Sequence, residues 1–413
     1  MLTILDVTDS WGPHSGPKFP GSPAAEDARR YSSEKLAYLQ DRADLRYVVV
    51  VPDSGTWTER RGRALIEHVE APERPGSPGE RMLVSSRRLR ELVQLHRPRV
   101  IECGSPTVMP MLIQLAAARL DPRPALLGYW HGDLTREVIA PRLAAIGPRV
   151  AAAGERVAAW WSRQGYAGLD AVLVPSRDEA RTLFARGVDR LYWTPMGVDA
   201  ACFAPRDPPA RPRGGGASPL VWTDAAASVI APIYAQLCRR SVQDPALVLA
   251  GPDHAANWRF AAARPQVHAP AFDSASERAS WLASCDLALL FGGAGACAEA
   301  MASALPLVAA AGTRAGELVR ESGCGRTLSG QDTRTLAAAT LALSRASDRA
   351  ELGARGRAWI SRFDWPSCFE RILLCYEDVL DHLRHACRVP VGIHERLQPL
   401  ALAAQSPCVA NQA

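Results

Sequence analysis

Apolar residues along this chain fall into short, dense runs. Leu2 to Val7, Tyr47 to Val51, Val100 to Glu102, Leu126 to Trp130 and Ala171 to Val174 are too short for helices and end in polar turns. That pattern predicts buried strands. Between them lie stretches with apolar residues at helical spacing, including 25–40 and the arginine-rich 81–97. Strands alternating with helices predict parallel βαβ units. The segment 206–219 is rich in proline and carries Gly214, Gly215 and Gly216 in a row, which suits a linker and neither helix nor strand. After it the pattern restarts, with predicted strands at Leu220 to Trp222, Ala246 to Ala250, Leu287 to Phe291 and Leu305 to Ala310, then helices near 348–363 and 368–385. The expected plan is an N-terminal Rossmann-like domain over 1–205, a linker over 206–219 and a second Rossmann-like domain over 220–385. A loosely ordered tail over 386–413 would follow.

Composition narrows the function classes. The 413 residues suit two domains, and 47% hydrophobic with 22% charged residues is the balance of a soluble globular chain. No run approaches a membrane span and the N-terminus lacks a signal-peptide pattern, so a cytoplasmic location is expected. The ten cysteines show no CxxC and no Cys/His ligand spacing, which predicts reduced thiols and no metal site. Net charge is +5, carried almost wholly by arginine, since Lys18 and Lys35 are the only lysines. This argues against a nucleic-acid partner and is compatible with an anionic donor or peripheral contact with the inner face of a membrane. The helix around Arg87, Arg88 and Arg90 could lie on such a surface, but its leucines read better as an ordinary core stripe.

Three segments carry candidate chemistry. In 171–205, AVLVPSRDEARTLFARGVDRLYWTPMGVDAACFAP, a strand ends at Pro175, Ser176 is placed to cap a helix over 177–185, and Gly187 stops it. In 285–308, CDLALLFGGAGACAEAMASALPLV, a strand runs into Gly292, Gly293 and Gly295, whose turn opens a helix containing Glu299. N–H groups at such a helix start suit a phosphate. In GYWHGDLTRE, His131 stands just beyond a strand end, where open α/β sheets bind ligands.

Together these segments resemble the retaining family-four glycosyltransferases, of α/β GT-B fold with two Rossmann-like domains facing a cleft. The resemblance covers roughly 1–385. It implies a metal-independent hexosyl transfer with no cofactor, from a nucleoside-diphosphate sugar to a lipid or glycan acceptor. Glu299 would hold the nucleotide ribose, Gly292, Gly293 and Gly295 would lie against the diphosphate, and His131 would orient the donor sugar. Gly12 and Gly16 correspond to the family's glycine-rich first loop, although Pro17 stands where a second glycine is usual. His131, Asp133 and Arg136 are similar to the lipid-directed branch, exemplified by phosphatidylinositol mannosyltransferases and sulfoquinovosyl transferases.

Two departures matter. Phe291 stands where the family has its first glutamate, and no Lys or Arg occurs between Gly214 and Cys238, where a basic pair would neutralise the leaving diphosphate. Arg314, Arg326 and Lys18 are the candidate replacements. The alternative is a GT-B protein impaired in catalysis, acting as a binding or partner subunit.

Overall fold

A computed structural model of the chain describes residues 1–8, 23–74, 77–81, 85–104, 109–132, 143, 146–206, 219–251, 254–329, 332–385 and 389–395. Gly12, Gly16, Lys18, Asp133, Arg136 and most of the expected linker lie outside these residues.

The strands are β1 (Leu2–Val7), β2 (Leu45–Asp53), β3 (Trp57–Arg61), β4 (Ala64–Glu70), β5 (Glu73–Arg74), β6 (Ser77–Arg81), β7 (Val100–Cys103), β8 (Ala125–Tyr129), β9 (Ala171–Val174) and β10 (Arg190–Trp193). Then come β11 (Leu220–Thr223), β12 (Ala246–Leu249), β13 (Val267–His268), β14 (Leu287–Leu290), β15 (Leu307–Ala310), β16 (Gly325–Leu328) and β17 (Gly392–Glu395). Helices in the first half are α1 (Pro23–Leu39), α2 (Ser86–His96), α3 (Met109–Ala117), α4 (Pro148–Tyr166) and α5 (Arg177–Ala185). The second half holds α6 (Ala227–Arg240), α7 (His254–Ala262), α8 (Ala275–Ser284), α9 (Ala294–Ala302), α10 (Arg314–Ser322), α11 (Thr333–Ser344), α12 (Arg349–Ile360) and α13 (Trp365–Arg384).

The first sheet has the order β17-β10-β9-β8-β7-β1-β2-β4-β3, parallel except for the edge pair β3 and β4. The second is wholly parallel with the order β13-β12-β11-β14-β15-β16, the doubly wound arrangement whose topological switch point lies between β11 and β14. Strand residues alternate between two cores on opposite faces. In β1, Ile4 faces the core shared with α1 and α13, while Leu5 faces the core under α2 and α3. Burial on both faces explains why the strands read as unbroken apolar runs.

Two features tie the halves together. Phe203 is buried in the second domain's core, and the Val198 N–H donates to the Phe363 carbonyl at 3.0 Å. Gly197 is required there, since a Cβ would sit 2.4 Å from the Trp365 ring. Helix α13 starts against the second core through Cys368 and continues along the first through Ile372, Tyr376 and Val379. The expected loosely ordered tail needs correction over Gly392–Glu395, which pair in parallel with β10. Chain closure on an exposed sheet edge explains it, because β10 would otherwise leave its backbone groups unpaired. The arginine-rich helix is α2, whose Leu89, Leu92 and Val93 are buried, as a core stripe requires.

Under the first domain's strand ends lies a buried ionic cluster. The Lys35 ammonium donates to Asp6 at 2.8 Å and Glu102 at 2.6 Å, and the hydroxyls of Tyr31 and Tyr376 donate to Glu102 while that of Tyr47 donates to Asp6. Burial alone would lower the Lys35 pKa, but the two carboxylates hold it above its ordinary value. Burial pushes the Glu102 carboxyl up, with Lys35 pulling it back and Asp6 adding to the rise.

Candidate active site at the domain cleft

Helix α9 begins with Gly293 as its N-cap and no side chain of its own to satisfy the first N–H groups. Two of those groups, and two N–H groups in the turn before them, meet carboxylates from elsewhere. At the switch point, Asp224 accepts from the N–H groups of Phe291 at 2.8 Å and Gly292 at 3.2 Å. From across the cleft, Asp27 of α1 accepts from Ala294 and Gly295, both at 3.2 Å. Gly295 is needed for this approach, because a Cβ would lie 2.8 Å from Asp27 and from Arg30. The turn is thus an anion site, as its glycines suggest, and in this closed arrangement side chains of the chain itself fill it.

Arg314 stands beside it at the start of α10. Its guanidinium lies 3.3 Å from Asp27, 2.9 Å from Glu179 of α5, and donates at 2.5 Å to the His131 carbonyl. One cation therefore spans both domains. Arg326 is not brought here; it is exposed on the edge strand β16, two strands from the switch point.

Glu299 is buried, and both its oxygens are held. Arg30 reaches one at 2.8 Å, and Arg278 lies 3.0 Å from the other as an ion pair without hydrogen-bond alignment. Phe291 packs its ring against the second domain's other core, so nothing acidic replaces the family's first glutamate at that position.

A second clamp mirrors the first. Ser176 caps α5 by accepting from the Glu179 N–H, and Gly187 follows the helix with a φ of +87°, as the sequence pattern predicts. Glu317 of α10 crosses the cleft to accept from the N–H groups of Arg177 at 2.6 Å and Asp178 at 3.1 Å and from the Ser176 hydroxyl. Burial pushes its carboxyl up, while the Ser176 hydrogen bond works against the rise. The cavity lined by Ser176, Trp193, Ala294, Arg314 and Glu317 is about 20 Å³, room for about one water.

His131 is buried between Tyr31 and Tyr129, with its Nε2 against Gly104. Among the described residues its Nδ1 has no hydrogen-bond partner. Burial first, then Arg314 and Lys35, lower its pKa from 6.5 to about 3, so the ring is neutral across the physiological range. The folded state resists a proton that the unfolded chain takes up below pH 6.5, so His131 favours the native state above that pH and ceases to do so as pH falls toward 3. Wild type should therefore lose about 2 to 3 kcal/mol more stability than His131→Asn between pH 7.5 and 4.5. Urea titrations at both pH values check this; parallel losses would show that His131 titrates normally.

Asp27, Arg30, Asp224, Glu179, Arg278 and Glu317 were not legible as site residues, because nothing in a helical charge pattern says which helix end it will face. Among the described residues there is no group of His, Cys, Asp or Glu arranged to hold a metal, and no helix long and apolar enough to cross a membrane.

Comparison with curated proteins returns no match. Among solved structures, sucrose-phosphate synthase from Thermosynechococcus elongatus superposes with a TM-score of 0.68 at 14% identity, covering 92% of this chain and 100% of that one. Anabaena HepE in complex with UDP and glucose gives 0.62 at 16% identity, covering 91% and 100%. A putative UDP-N-acetylglucosamine 2-epimerase from Listeria monocytogenes gives 0.55 at 13% identity, covering 95% and 99%, so the shared architecture alone does not fix the reaction. Residues 28–195 match the family described as glycosyl transferase 4-like domain, and the two-domain chain that contains them has the GT-B fold.

Proposed function

We propose that the protein transfers a hexosyl group, with retention, from a nucleoside-diphosphate sugar to a lipid or glycan acceptor, and that the donor diphosphate takes the place of Asp27 on α9. The observation that carries this reading is the Asp27 carboxylate on the N–H groups of Ala294 and Gly295, next to Arg314. An anion already satisfies the helix start, and a diphosphate offers the same charge and acceptor oxygens. On opening, withdrawal of α1 removes both Asp27 and Arg30, which leaves Glu299 able to accept from ribose hydroxyls and Arg314 able to turn to the phosphates. The unsatisfied Nδ1 of His131 is a polar atom that a sugar hydroxyl could satisfy; left buried without a partner it costs about 1 to 3 kcal/mol. Retention fits a neutral histidine that orients the sugar, since a same-face displacement draws little proton transfer from the protein.

The chain's own Asp27 carboxylate on the Ala294 and Gly295 N–H groups also favours a second reading, a partner subunit whose donor site has closed on itself. Calorimetry separates the two. Titration of UDP, GDP and ADP into Asp27→Asn protein should show one of them binding about 5- to 30-fold tighter than to wild type, the scale of a removed competing charge at a helix start. Glu299→Ala should weaken that binding by about 1 to 3 kcal/mol. If neither wild type nor Asp27→Asn binds any of the three at millimolar concentration, the partner-subunit reading replaces the enzyme.

A further inference from the structure

The two cations on the buried Glu299 carboxylate come from different domains. Arg30, 2.8 Å from Oε1, belongs to α1 of the first domain. Arg278, 3.0 Å from Oε2, belongs to α8 and so to the same domain as Glu299. The two contacts differ in how readily they can be exchanged. Arg30 has a second carboxylate one turn along its own helix: burial pushes the Glu34 carboxyl up, and the attraction of Arg30 pulls it back. Arg278 is fixed from behind. Ser274 caps α8 by accepting from the Glu277 N–H, and Ala279 and Leu282 bury the helix in the second domain's core. The Arg278 guanidinium lies over the ring of Phe203, 6.0 Å from its centre, and Phe203 belongs to that same core.

We propose that Arg278 is the positioning residue of the donor's ribose subsite: by holding Oε2 of Glu299 it fixes the carboxylate and presents Oε1, the oxygen that Arg30 covers, to the ribose hydroxyls. The inference rests on the proposed donor site and names the residue that shapes it. A carboxylate as deeply buried as Glu299 is tolerated when it is paired, and removal of every partner is costly. When α1 withdraws with Arg30, as in the proposed function, Arg278 is the one of these two cations that stays. It leaves one carboxylate oxygen engaged and the other open to accept a charge-assisted hydrogen bond, with the side chain held in one rotamer. Arg278 thus acts on the donor through Glu299.

Calorimetry tests it on Asp27→Asn protein and on Arg278→Ala and Arg278→Lys made in that background, with UDP, GDP and ADP each titrated beside its dideoxyribose counterpart. The parent should bind the ribose form about tenfold tighter than the dideoxyribose form, the scale of a hydrogen bond to a charged group. Arg278→Ala should remove most of that preference, weakening the ribose form about five- to tenfold and the other form by less than about twofold. Arg278→Lys should keep part of the preference, since an ammonium still pairs with the carboxylate without the rigid fork of a guanidinium. Arg278→Ala added to Glu299→Gln should weaken binding no further, as expected of two residues that act through one contact. A merely structural role would weaken both nucleotide forms together; that result, or a full ribose preference in Arg278→Ala, overturns the proposal. Should Arg278→Ala fail to fold, the same comparison in Arg278→Lys decides, and a full preference there overturns it equally. The donor site fails on a different outcome, a parent that binds none of the three diphosphates. A parent whose ribose preference is lost in Glu299→Gln but indifferent to Arg278 overturns this inference alone.

Discussion

Replacing Arg314 with alanine is expected to lower turnover by about 100-fold or more while changing donor affinity much less. The reasoning starts from what is missing. No Lys or Arg occurs between Gly214 and Cys238, so under the proposed reaction the charge that builds on a departing diphosphate would meet a cation from elsewhere. Arg314 lies 3.3 Å from Asp27, which the proposal puts in the place of the diphosphate, and is anchored to the first domain through Glu179 and the His131 carbonyl. A fixed donor that acts on developing charge typically contributes about 10²- to 10³-fold. Because those anchors also hold the domains together, kcat and KM must be measured separately. Arg314→Lys should recover only part of the rate, since an ammonium cannot reproduce the planar fork that spans three partners. Unchanged kcat in Arg314→Ala would place the cation elsewhere.

Lys35→Met is expected to destabilise the protein by about 3 to 5 kcal/mol, the usual consequence of removing one member of a buried ionic cluster. Lys35 is 1% exposed and is the cation between Asp6 and Glu102, so its loss leaves two carboxylates facing each other in the core. Glu102 already holds its proton more tightly than an ordinary glutamate, because of burial and Asp6. A raised carboxyl pKa favours the folded state at low pH and stops doing so as pH rises through it. The defect should therefore shrink in acid and be largest near neutrality. Lys35→Met with Glu102→Gln should recover part of the loss at neutral pH. Denaturant midpoints for both variants at two pH values decide it; a Lys35→Met protein as stable as wild type would mean that the cluster contributes little.

Much of the fold was legible because its strands are buried on both faces. Leu2–Val7, Ala171–Val174 and the helix begun by Ser176 lie where the apolar runs and the capping serine put them. What escaped was long-range or weakly patterned. β3 is an exposed edge strand with charged residues, and β17 is a short strand that acquires its place only from a neighbouring edge. The site divided in the same way. Gly292, Gly293 and Gly295 lie in the turn and first turn of α9, Glu299 lies further along the same helix and Arg314 stands beside its start, whereas Arg326 is exposed on an edge strand. Asp27 on that start and Asp224 on the turn before it belong to separate parts of the chain, and only the folded structure brings them together.

The central claim is that Asp27 holds the place of a donor diphosphate. Crystals of Asp27→Asn protein grown with the nucleoside diphosphate that binds best in calorimetry test it most directly. The account predicts phosphate oxygens within hydrogen-bond distance of the Ala294 and Gly295 N–H groups, Arg314 turned toward them and α1 drawn back from α9. A nucleotide bound elsewhere, with α1 still seated on α9 and Arg30 still on Glu299, would contradict it.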